Sequence, residues 1–307
     1  MIFDKTGHVA NELYVTGLSW SPVYLLNVKP PVLFEAGFNC AGMLYEEDIK
    51  AVLKGSQPEI LFLTHVHWDH CGATSYLRGS FPNLKVAASE RAAKIIERPN
   101  AQKLMVALSK EVIPHVSTMN GIDKTKLLDR PFEPFHIDMI LGEGQVLELD
   151  KNLTLHVLAT PGHTRDHLSY YIPEKKILIA TEAPGCMDRT GNIVTEFLID
   201  YDIYVASLKR LATLPVEVLC QGHHYVFVGK KEVENFFARS LMEAERFKTR
   251  VYELLRAEKG SIERVMSRIK AEQYDPNPGP KQEKKAYLLN LKTRITHFAE
   301  RFYDNNN

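Results

Sequence analysis

The chain has 307 residues, enough for one large domain or one domain with an appendage. Its 38 basic and 38 acidic side chains cancel, so no global charge draws it to nucleic acid or to an anionic membrane. A hydrophobic content of 45% fits a soluble globular protein, and no apolar run nears the ~18 residues that cross a bilayer.

Met1 to Thr6 lack the charged and apolar regions of a secretory signal, so a cytoplasmic location is expected. Runs at 13–16, 23–26 and 31–34 are rich in β-forming residues and separated by turn residues, which predicts short strands. A helix over 45–54 leads into a short apolar strand at 59–63. A second helix is expected from 72, a strand at 85–88, and a helix capped by Ser89. The stretch 98–140 mixes a helical segment (103–111) with Pro114, Pro131 and Pro134 and reads as an insertion that overhangs the site. Strands follow at 146–149, 153–158, 168–172, 177–180 and 216–220, with a helix at 202–211. Strands interleaved with helices indicate an α/β layered fold.

Beyond 230 the pattern is helical throughout. Val233, Phe236, Phe237, Leu241, Ala244, Phe247, Val251 and Leu254 form one apolar stripe, Gly260 ends it, and Ser261 caps the next helix. Residues 275–280 read as a loop, and a last helix carries Leu288, Leu291, Ile295, Phe298 and Phe302 on one face. The expected division is a catalytic domain over 1–229 and a helical extension over 230–307. That extension would cover the site or form a homodimer interface.

The chemistry concentrates in Thr64-His65-Val66-His67-Trp68-Asp69-His70, just past the 59–63 strand. Three imidazoles and a carboxylate within six positions suit divalent zinc, iron or manganese. Three further stretches follow strand ends: Gly162-His163, Thr181-Glu182 and Gly222-His223-His224. Glycine lets the chain turn sharply there, so that a histidine faces inward. Cys40, Cys71, Cys186 and Cys220 are scattered with no Cys-x-x-Cys pair, which argues against disulfides or a zinc ribbon; Cys71 reads as a packed thiol. His8, His115, His136, His156 and His297 lack motif context and read as structural or solvated.

In the order and spacing of these loops, residues 9–225 resemble the metallo-β-lactamase superfamily. The resemblance implies an αββα sandwich with a binuclear site along one edge, holding two divalent metal ions per chain. Carried over, His65, His67 and His163 would hold one ion, and Asp69, His70 and His223 the other. Glu182 stands where the family has a bridging aspartate, and the extra methylene lets it bridge only if the backbone retreats. Glu35 stands where the family has a strand-end aspartate; His167 is expected to support the 163 loop and His224 to point away. In texture the chain is similar to the pseudomonad quinolone-signal thioesterase type, and more distantly to glyoxalase II.

The expected activity is hydrolysis of a small-molecule thioester or ester by metal-activated hydroxide, with Asp69 orienting it or relaying its proton. Two alternatives stay open. One is a mononuclear-iron oxidoreductase of the persulfide-dioxygenase kind, and the other a weakly catalytic effector acting through its helical surface. A nuclease is disfavoured because no basic stripe tracks phosphates.

Overall fold

The computed structural model describes residues 1–277 and 281–304, with the side chains of 303 and 304 excepted. The expected loop at 275–280 therefore falls partly outside the described residues.

After a two-residue strand β1 (Ile2–Phe3), the chain builds a seven-stranded sheet. Its order is β2 (Gly7–Ala10), β3 (Leu13–Thr16), β4 (Val23–Leu26), β5 (Val32–Phe34), β6 (Ile60–Phe62), β7 (Lys85–Ser89) and β8 (Met139–Leu141). Helices α1 (Gly42–Leu53), α2 (Thr74–Ser80), α3 (Glu90–Ile96) and α4 (Pro99–Ser117) connect its strands. The second half supplies β9 (Val146–Asp150), β10 (Leu153–Ala159), β11 (Leu168–Ile172) and β12 (Ile177–Thr181). A small hairpin of β13 (Cys186–Met187) and β14 (Ile193–Val194) stands apart, and β15 (Val218–Gln221) and β16 (Val226–Val228) follow. The second seven-stranded sheet runs β1-β16-β15-β12-β11-β10-β9. Helices α5 (Tyr201–Ala212), α6 (Lys230–Ala257), α7 (Ile262–Ile269) and α8 (Lys284–Asp304) complete the chain.

Alternation along the strands sorts side chains into three apolar layers. Tyr24, Phe34, Phe62, Leu155, Tyr170 and Ile179 fill the space between the sheets. Their neighbours Leu25, Leu33 and Leu61 face outward onto Ile49, Leu77 and Val112 of the first helical layer. On the other side, Leu178 and Leu219 pack with Leu208, Phe236, Val251, Leu291 and Phe298. This is the αββα sandwich that the resemblance implied. The helices beyond 230 share their core with the second sheet rather than forming a core of their own.

Strand direction places the site. β5, β6 and β7 pair in parallel, as do β12 and β15. β10 is antiparallel to β11, which is antiparallel to β12, so β10 runs with β12. The C-terminal ends of β5, β6, β10, β12 and β15 thus share one edge of the sandwich, and the loops leaving them carry Glu35, His65, His163, Glu182 and His223.

Two expectations need correcting. The helical segment expected at 103–111 spans Pro99–Ser117, because Pro99 sits in the first turn, where no backbone donor is needed, and Pro114 in the last. Several strands of two to four residues, among them β1, β8, β13, β14 and β16, escape a periodicity reading because they are too short to show one.

Candidate metal centre

The histidine loop is held at both ends before any ion is considered. At its start, Thr64 Oγ1 lies 3.0 Å from His65 Nδ1 and 2.9 Å from Thr181 Oγ1 on the facing sheet. The Val66 amide donates to the buried Asp166 carboxylate at 3.0 Å. At its end, the amides of His70 and Cys71 both donate to the His67 carbonyl, closing a tight turn.

Two groups of side chains converge. Potential ligand atoms of His65, His67 and His163 all lie within 4.8 Å of one another, as do those of Asp69, His70 and His223. In the first group, His67 Nδ1 and His163 Nε2 are 3.1 Å apart. Glu182 stands between the groups, with Oε1 at 3.0 Å from His70 Nε2 and 3.2 Å from His223 Nε2, and Oε2 at 3.8 Å from His65 Nε2. Glycine makes this placement feasible: a Cβ on Gly222 would fall 1.7 Å from Glu182 Oε1. Gly162 is comparably constrained, with φ +135° and a virtual Cβ 2.4 Å from the Tyr204 backbone.

Backbone acceptors fix how the rings face. His163 Nδ1 donates to the Glu196 carbonyl at 2.6 Å, and His223 Nδ1 to the Trp20 carbonyl at 2.7 Å. A carbonyl only accepts, so each Nε2 is left with its lone pair turned inward. His70 Nδ1 meets Glu35 Oε2 at 2.9 Å, while Glu35 Oε1 accepts from the Thr64 amide at 2.7 Å. A carboxylate behind a ligating imidazole orients the ring and raises its basicity.

Burial pushes the His65 pKa well below its ordinary value and the His67 pKa to about 3, so both rings are neutral donors at physiological pH. Burial also opposes charge on His70, but Glu182, Asp69 and Glu35 outweigh it and raise its pKa well above the ordinary value. Burial would raise the Glu182 pKa too; His70, His223 and His163 hold it well below the usual carboxylate range.

The test of fit for a cation lies in atoms left without partners. His65 Nε2 and Glu182 Oε2 are both buried and unbonded, facing each other across 3.8 Å. Buried polar atoms are costly unless satisfied. Nitrogen and oxygen donors so arranged suit zinc, iron or manganese.

Every sequence-identified candidate thus lies in one cluster. His167 joins it from behind, stacked on His65 at 5.0 Å between centroids and bonded to Thr160 Oγ1 and Thr181 Oγ1. His224, expected in a supporting or surface role, is buried and lies parallel to Trp20 at 6.4 Å. Sequence reasoning missed Glu35 as the orienter of His70 and Asp166 as the brace of the loop. The available signal was an acidic residue just past the end of β5 for Glu35, and for Asp166 the Asp-His step just before β11.

Two cavities flank Trp68 and share Asp69, Glu182, Glu196 and His223. One is lined by Trp20, Phe38, Tyr274, Tyr287 and Arg294; the other by Ile95, Leu104, Met105, Leu108 and Leu289. Of the 98–140 stretch expected to overhang the site, α4 lines the second cavity through Ala101, Leu104, Met105 and Leu108. Among the described residues, no helix is long and apolar enough to cross a membrane.

A layered αββα sandwich with this histidine cluster at its edge defines a class of metal-site proteins, and comparison with known proteins makes the class specific. The family model of the metallo-beta-lactamase superfamily matches residues 21–223, more than half of the chain. The chain belongs to that superfamily. A hydroxyacylglutathione hydrolase of Mesorhizobium japonicum is 28% identical over 61% of this chain and 57% of its own length. The probable metallo-hydrolase YflN of Bacillus subtilis is 25% identical over 65% of this chain and 77% of its own. Among solved structures, an archaeal superfamily protein from Sulfolobus tokodaii superposes with TM-score 0.57 at 16% identity, covering 95% of this chain and 100% of its own. A motif variant of the Cronobacter sakazakii metallo-beta-lactamase gives TM-score 0.57 at 18% identity over 79% and 96%. At such identities the structural likeness speaks for the fold.

Proposed function

We propose that this metallo-hydrolase of the metallo-beta-lactamase superfamily cleaves a thioester or ester of a small molecule. The observation that carries the reading is the position of Glu182, one oxygen toward His70 and His223 and the other toward His65. The similarity to a hydroxyacylglutathione hydrolase supports an acyl substrate.

In this reading His65, His67 and His163 would hold one divalent cation and Asp69, His70 and His223 a second, with Glu182 placed to contribute to either. When bound, such ions would polarise a carbonyl and lower the pKa of a coordinated water from 15.7 toward ~7. The protein does the rest. Asp69 Oδ2 lies 3.7 Å from His223 Nε2, its side chain only 17% exposed, and accepts the proton released as water attacks the carbonyl carbon. Glu35 keeps His70 Nε2 turned inward, and the Glu196 and Trp20 carbonyls do the same for His163 and His223. Trp68 and the buried Phe38 stack at 5.3 Å and narrow access of bulk water.

The deciding experiment is elemental analysis of protein purified without chelators, followed by a panel of thioesters, lactones and phosphodiesters. Two metals per chain and turnover of thioesters are expected. His67→Ala and Asp69→Ala each lose turnover by at least a hundredfold with an unchanged circular dichroism spectrum. Turnover retained in either, once contaminating activity is removed, sinks the assignment. One iron per chain with oxygen uptake on a thiol substrate selects the oxidoreductase alternative instead.

A further inference from the structure

Arg294 is the least expected residue in the cavity that opens onto the candidate metal centre. It lies on α8, is 3% exposed, and lines the cavity formed with Trp20, Phe38 and Tyr287. Its Nε is buried without a partner, and among the described residues the guanidinium makes no hydrogen bond or ion pair. What holds it is aromatic: Cζ lies 3.7 Å from the Phe247 ring centroid and 5.4 Å from that of Phe197. Stacking on two rings positions a guanidinium but leaves its five N–H donors unsatisfied.

Two more donors lie in the same field. The buried hydroxyls of Tyr204 and Tyr287 are also unbonded, and both feel the Arg294 charge. Burial pulls the Arg294 pKa down, while the nearby Glu196 carboxylate pulls it the other way. Glu196 itself is occupied, since its Oε2 accepts from Asn290 Nδ2 at 3.0 Å and its carbonyl from His163 Nδ1. The Arg294 guanidinium and the Tyr287 hydroxyl line a cavity that continues to Glu182 and His223, and these unsatisfied donors describe a receptor for an anion.

We propose that Arg294, with the Tyr287 hydroxyl, binds a carboxylate carried by the substrate at a distance from the bond that is cut. A planar monoanion matches one guanidinium fork. A dianionic phosphate would place its second charge beside Glu196, and the other cation lining the cavity, Lys281, already donates to the Tyr274 and Asn277 carbonyls. The proposal rests on the hydrolase reading for its substrate, an acyl thioester ending in a carboxylate, but the site itself is tested by binding.

The test compares the half-thioester of glutaric acid with the same thioester ending in a carboxamide. The corresponding thioethers, which cannot be hydrolysed, serve as calorimetric ligands. The wild-type protein binds the carboxylate thioether roughly ten- to a hundredfold more tightly than the carboxamide, as charge-assisted bonds dictate. Arg294→Met keeps the volume and reduces that preference to about twofold or less. A wild-type protein without preference overturns the proposal, as does a folded Arg294→Met protein that keeps it, since the carboxylate is then bound elsewhere. Should Arg294→Met fail to fold, Glu196→Gln decides: removal of the competing carboxylate raises the preference, and a preference that stays or falls overturns the proposal. Discrimination between thioethers with neither thioester cleaved supports the anion site and refutes the hydrolase reading. Cleavage of both thioesters at equal efficiency, with equal thioether affinities, does the reverse.

Discussion

Glu182 is one methylene longer than the aspartate expected at its position, and the structure accommodates that length with a missing side chain across the gap. Gly222→Ala puts a methyl group where Glu182 Oε1 now lies, a 1.7 Å approach that must move the carboxylate. The expected outcome is a folded protein with metal affinity and thioester turnover each reduced about ten- to a hundredfold, the range typical of disturbed ligand support. Metal content by elemental analysis and chelator competition checks it; a fully loaded variant would show that Glu182 does not serve the ions. Glu35→Gln keeps the shape but weakens the grip on His70 Nδ1, and the same competition assay should show a similar loss. At this scale the histidines and Asp69 were legible because four ligand-type side chains in six positions have no ordinary surface explanation. The Trp20 and Glu196 carbonyls that aim His223 and His163 were not legible at all: every residue has a carbonyl, and only the fold selects these two.

Elements show a similar split. The long helix α6 announced itself through Val233, Phe237, Ala244, Val251 and Leu254, a stripe that survives any uncertainty at the ends. Ser89 and Ser261 were readable as caps because a hydroxyl can satisfy a free amide, and each does. The strands β13 and β16 were invisible, because two or three residues pair only where neighbouring chain presents an edge. The helix α5 carries a testable anchor. Asp200 caps it through the Ile203 amide at 2.9 Å and holds Arg301 of α8 at 2.8 Å. Asp200→Ala should cost about 1 kcal/mol, a drop in Tm of roughly 1.5 °C for a chain of this size. Burial would raise the Asp200 pKa, but the Ile203 amide, Arg301 and His297 lower it below the ordinary 3.8. The folded state therefore binds this proton less readily than the unfolded one. The stabilisation is complete above pH 3.8 and is lost as pH falls through the lowered folded value. Thermal melts of wild type and Asp200→Ala at neutral pH and in acid should converge in acid; a constant difference would assign the effect to packing.

For the whole molecule, the placement of the cluster matters more than its composition. His65, His67, Asp69 and His70 leave the first sheet, whereas His163, Glu182 and His223 leave the second. Any cation shared among them therefore clamps the two halves of the sandwich together at their common edge. Because the unfolded chain scatters these ligands over 159 positions, from 65 to 223, it cannot match the folded affinity. Binding then stabilises the folded state by RT ln(1 + [M]/Kd), about 4 kcal/mol when free metal stands a thousandfold above Kd. Chelation should lower Tm by several degrees, zinc or manganese should restore it, and the restored value should rise with the logarithm of free metal. The control lies in the geometry. His163→Ala removes a ligand contributed by the second sheet and should flatten the metal dependence, whereas Lys94→Ala, on the exposed Glu90 pair of α3, should leave it intact. A Tm indifferent to chelator in the wild-type protein would mean that the sheets are held by Tyr24, Phe34, Phe62 and Tyr170 alone, with the histidine edge making no contribution to stability.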